Sequence, residues 1–128
     1  MTDTTLAYSA DELVQLAKAL DDMAEAMPVG TPGPDGLTAM RWSQSLGGAA
    51  QNLLLMAQRD YLADTTEPLA DIVVTTKEAT AALAKIKAID KIVEVVGDVM
   101  LLATVIWLQK WNLVLPTVKE LRNDIRSV

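Results

Sequence analysis

The stretch KIVEVVGDVMLLATVIWL, residues 91–108, opens on a charged helical line and closes apolar on every side. At helical spacing Lys91, Glu94, Asp98, Leu101, Val105 and Leu108 form one stripe, charged in its first half and aliphatic in its second. Val95, Val96, Val99, Met100, Ala103, Ile106 and Trp107 cover the remaining directions, so no polar face survives from about Val99 to Leu108. Such a helix requires a protein interior, a partner chain or lipid around it.

The rest of the composition fits a helical answer. A chain of 128 residues is long enough for one domain with one core, and 51% of it is hydrophobic. The mean hydropathy of +0.23 is high for a small domain, yet there is no Phe, and Ala, Leu, Val and Met supply most of the apolar content. That mixture suits closely packed helices better than a sandwich of aromatic and β-branched strands. The expected fold is all-α: an antiparallel four-helix bundle with a short C-terminal helix, in a single domain over 1–128.

Several function classes fall away on residue types alone. Without Cys there are no disulfides, thiolate nucleophiles or zinc-thiolate sites, although this says nothing of compartment. Without His there is no His general base, no Ser/His/Asp triad and no Glu-x-x-His di-iron pair. The remaining carboxylates, hydroxyls and lysines give no catalytic constellation, so the expectation is a protein that is not an enzyme and carries no cofactor or metal. A net charge of −6 opposes binding to nucleic acid. Residues 1–64 hold nine acids against Lys18, Arg41 and Arg59, whereas residues 65–128 are balanced, so an acidic half precedes a neutral, strongly apolar one. Met-Thr-Asp-Thr-Thr has neither the basic start nor the apolar run of a secretory signal, which leaves a cytoplasmic location or bacterial export by a signal-peptide-independent route.

Along the chain, Ser9 with Glu12 reads as a capping box, and Leu13, Leu16, Leu20, Met23 and Met27 repeat at 3-4 spacing, predicting a helix from about Ala10 to Met27 that stops at Pro28. Pro28 to Gly36 is rich in turn residues and reads as a connector or a recognition loop. A second helix is expected from about Leu37 to Leu62, with Trp42, Leu46, Ala49, Leu53 and Met56 on its apolar line, closing a helical hairpin over 9–62. Gly47 and Gly48 fall inside it. Glycine there costs about 1 kcal/mol relative to Ala, so the pair calls for a reason: close approach of a neighbouring helix, or a hinge. An apolar helical half follows over 66–127. In it Thr65 to Pro68 opens a third helix carrying Leu69, Ile72, Thr76, Ala79, Leu83 and Ile86, with a turn near Ala88 to Asp90. Helix four is expected over about Asp90 to Asn112, and Pro116 opens a short amphipathic tail with Val118, Leu121 and Ile125.

A constitutive transmembrane span over helix four is disfavoured, because Glu94 and Asp98 would each cost on the order of 3 kcal/mol near a bilayer centre. These two acids read as a pH-sensitive pair, or as a solvated face paired with Lys87 and Lys91. Trp107 and Trp111, four apart, read as one face that either caps the core or sits at a membrane surface.

The helix from Tyr8 to Met27, the Gly/Pro loop and the Trp-bearing, Gly-containing second helix together resemble the helical hairpins of the WXG100-like group, exported by bacterial type VII secretion systems. The resemblance spans about 8–62 and lies in architecture. Trp42-Ser43-Gln44 lacks the glycine of the Trp-x-Gly turn. Tyr61 is followed by Thr65 where the export signal has an acid, and the matching Tyr8 to Glu12 spacing sits before the hairpin. The second half resembles, in character, the stored apolar helices of α-helical pore-forming toxins, which would imply a component of a multi-chain system.

Two functional expectations follow. The first is a non-enzymatic assembly module that buries Leu101, Val105 and Leu108, with Trp107 and Trp111, against itself or another helical protein. The second is a membrane-active protein that releases helix 90–112 into lipid when the candidate hinge at Gly47 and Gly48, or the turn near Asp90, opens.

Overall fold

The computed structural model of the chain describes residues 6–7, 10–58, 64–65, 69–108 and 110–127. The fold is all-α. Five helices, α1 (Ala10–Ala26), α2 (Pro34–Gln58), α3 (Leu69–Leu83), α4 (Ile89–Trp107) and α5 (Val114–Arg126), account for most of the described residues. A one-turn 3-10 helix at Trp111–Leu113 precedes α5, and a two-residue antiparallel pairing joins β1 (Leu6–Ala7) to β2 (Asp64–Thr65).

The apolar lines of the sequence become the core. On α1, Leu13, Leu16, Leu20 and Met23 are all buried, as is Met27 just past its end; on α2, Leu46, Ala49, Leu53 and Met56 are buried and Trp42 packs against them partly covered. Helix α3 contributes Ile72, Thr76, Ala79 and Leu83. Helix α1 packs on α2 and α3, α2 also on α4, and α5 on both α4 and α3. With Val114, Val118 and Leu121 fully buried, α5 is a structural member of the core, not an amphipathic appendage.

The buried threonines are satisfied by carbonyls four residues back in the chain. The hydroxyls of Thr75, Thr76 and Thr117 donate to the carbonyls of Asp71, Ile72 and Leu113, at 3.0, 2.9 and 2.7 Å. Between helices, Ser43 Oγ of α2 donates to the Ala24 carbonyl of α1 at 3.0 Å, capping an acceptor in α1's last turn.

Several element boundaries differ from those expected, for identifiable reasons. Helix α2 begins at Pro34, not near Leu37, since Pro is suited to a first helical position and Gly33, at φ 81°, turns the chain into it. Gly36 is obligatory there: a Cβ would fall on the Thr31 carbonyl oxygen. The break between α3 and α4 comes earlier than Ala88 to Asp90. Tight bonds from Ala84, Lys85 and Ile86 back to Ala81, Ala82 and Leu83 close α3, and α4 starts at Ile89. At its other end α4 stops at Trp107 rather than Asn112; the Lys110 N–H bonds back to the Val105 carbonyl at 2.8 Å and wraps the terminus. Tyr8, Ser9, Tyr61 and Thr66 to Pro68 lie outside the described residues.

Candidate interaction surface

The expected stripe of α4 divides into two lines when placed in the fold. Leu101 and Leu108, seven apart, face outward with 54% and 53% of their surface exposed. Val105 is only 5% exposed and belongs to the core, so it is removed from the expected interaction face. Asp98, seven residues before Val105, lies on the same flank and turns toward α5, where Asp124 and Glu120 act on its carboxyl. The core line itself runs through Ile92, Val95, Val96, Val99, Leu102 and Ile106. Trp107 is half-buried on the α2 flank, and Trp111 belongs to the 3-10 turn beyond the end of α4, so the two tryptophans lie on different elements.

Beside the outward line lies a groove of about 440 Å³ between α2 and α4. Gly48, Ala49 and Ala103 keep it open, Met100, Thr104 and Trp107 line it from α4, and Ser45, Gln51 and Asn52 from α2. A Cβ added at Gly47 or Gly48 would meet nothing within 4 Å. The close-approach explanation of these glycines is therefore overturned: they leave space, and α2 runs through them unbroken. Helix contact occurs one turn away, where the Trp42 ring lies 3.8 Å from the Cβ position of Gly97. Leu55 of α2, 52% exposed, lies three residues beyond Asn52.

This surface is free of charge to an unusual degree for a chain of net charge −6. Helix α2 has no charged residue between Arg41 and Arg59, and α4 has none after Asp98. That run was the readable signal of the α2 side of the face, which a search along α4 alone passes over.

The two expected acids separate. Glu94 is exposed and pairs with Lys91 at 3.5 Å, a surface ion pair of the kind worth about 1 kcal/mol or less. Asp98 instead keeps one oxygen, Oδ2, shut from solvent with no hydrogen-bond partner. Its pKa is raised to about 7, first by burial, then by a hydrogen bond with the Asp124 side chain and by the charges of Asp124, Glu120 and Glu94. Glu120 and Asp124, four apart on α5, complete an acidic flank that spacing along α4 could not reveal. The described residues hold no group of His, Cys, Asp and Glu arranged to bind a metal.

No helix among the described residues is long and apolar enough to cross a membrane. The helix expected over 90–112 is two separate elements. No protein-family model, curated protein or solved structure matches this chain.

Proposed function

We propose that this protein is a non-enzymatic assembly module, and that the face built by α2 and α4 is the surface it buries. Its helices α1 to α4 are read as an antiparallel four-helix bundle braced by α5, which presents the Leu101–Leu108 line and the adjoining groove to a second copy or another helical protein. The observation that carries this reading is the pairing of two half-exposed leucines with an uncharged, small-residue groove on a protein of net charge −6. Singly scattered exposed apolar residues such as Val14, Val29 and Val74 are ordinary on any surface; a leucine line flanking a groove is the arrangement a helix occupies when it docks.

The membrane-active alternative draws on the same leucine line, and one experiment separates the two. Sedimentation of the full chain at tens of micromolar, alone and with lipid vesicles, should show self-association without lipid if the partner is a second copy. A strictly monomeric chain that binds vesicles would transfer the face to lipid, and a chain inert in both settings would leave only a foreign protein partner.

A further inference from the structure

We propose that Asp98 of α4 and Asp124 of α5 form a proton-dependent latch, which holds α5 against α4 while the pair retains one proton and loosens when both carboxyls ionise. This inference does not depend on the assembly reading. It begins from a mismatch in an otherwise satisfied interior. Where the buried threonines are bonded to carbonyls four residues back in the chain, Asp98 Oδ2 is the one buried side-chain oxygen among the described residues without a hydrogen-bond partner. Across the α4–α5 contact Asp124 acts on that same carboxyl, and two carboxyls brought together share a hydrogen bond only if one of them carries the proton to donate.

The charges around the pair do not relieve it. From α4 itself comes Glu94, whose cation Lys91 is 3.5 Å away and already shared; from α5 come Asp124 and Glu120. The α5 cations Arg122 and Arg126 line a hollow with Glu78 of α3, and Lys119 is exposed. Helix α2 brings no charge between Arg41 and Arg59, Lys77 of α3 is exposed, and Lys110 of the connection after α4 is exposed. Ionising both members of the pair therefore sets like charges against each other beside a desolvated oxygen.

The direction of the pH effect follows from the two states of Asp98. With α5 docked its pKa is about 7, and in the open chain it returns toward the ordinary aspartate value of 3.8. The docked form thus holds the proton more tightly. The latch is strongest below about pH 4, weakens by at most about tenfold per pH unit up to about 7, and stays weak above that. Loosening exposes Val114, Val118 and Leu121, which are fully buried when α5 is docked.

Two measurements on the full chain test this. Carbon-13 NMR of the side-chain carboxyls should show Asp98 titrating near pH 7; titration of Asp98 in the ordinary carboxylate range would overturn the latch. Hydrogen exchange, corrected for intrinsic rate, should show protection of α5 falling from pH 5 to 7 more than that of α1 and α2, and Asp98→Asn should abolish the fall. Loss spread evenly over all five helices, or an unchanged fall in Asp98→Asn, would overturn it. If Asp98→Asn does not fold, Asp124→Asn is read in the same way, and the titration needs no variant at all.

Discussion

Asp98 and Val105 are seven residues apart on one flank of α4, yet one is a carboxylate facing the acids of α5 and the other a fully engaged core side chain. That flank is where α5 docks. The neighbouring line, Leu101 and Leu108, has the same spacing and stays about half exposed among the described residues. The proposed assembly face and the proposed latch are thus adjacent strips of a single helix.

Stability should fall as pH rises from about 4 to about 7 and level off beyond. Asp98 is the group whose folded-state pKa is raised, so the folded chain retains a proton that the unfolded chain has already lost. Urea unfolding at pH 5, 6, 7 and 8 checks this. Asp98→Asn should flatten the dependence and be the more stable protein at pH 8; an equal slope in both proteins would show that Asp98 is not its source.

Glycine replacements should change sign with position. At Gly47 the added methyl meets open space in a helix interior, so Gly47→Ala should stabilise by up to about 1 kcal/mol. At Gly36 the same change forces the Thr31 carbonyl aside and should lower the thermal midpoint. If Gly47 and Gly48 serve as the hinge of the membrane-active alternative, the double replacement by Ala should raise stability while impairing vesicle binding.

Removing the Ser43 hydroxyl should cost about 1 kcal/mol, because Ser43→Ala strips the Ala24 carbonyl of its inter-helix donor in a partly buried position. Thermal unfolding with the midpoint converted to free energy measures it. No change would mean that water replaces the hydroxyl.

Leu121→Ala should destabilise by about 2–4 kcal/mol, the range for emptying a buried leucine site. An effect below about 1 kcal/mol in denaturant would return α5 to the status of a loosely attached tail.

Helix existence was legible wherever a 3-4 apolar line was uninterrupted. Leu13 to Met27 and Leu46 to Met56 went from periodicity to core without revision. What misled was continuation: the apolar run past Trp107 extends α4 on paper, but Val114, Val118 and Leu121 gain more by turning back onto α3 and α4 than by prolonging a rod. That Leu101 and Leu108 share one line was readable from α4. Val105 was not separable from them, because a stripe at 3-4 spacing drifts around the helix and only the position of α5 decides which edge is covered. The partner acids of Asp98 lie in another helix, and a single-helix reading had no means of placing Asp124 beside it.

The central claim, that the Leu101–Leu108 line is an assembly face, is tested most directly by the oligomeric mass and thermal midpoint of Leu101→Asp, with Val105→Asp as the buried control. Truncating an interface anchor costs about 2 kcal/mol or more, roughly thirtyfold in affinity. Leu101→Asp should therefore dissociate the assembly while keeping a nearly unchanged midpoint, and Val105→Asp should unfold the protein. A Leu101→Asp protein that keeps its mass and its midpoint would contradict the account.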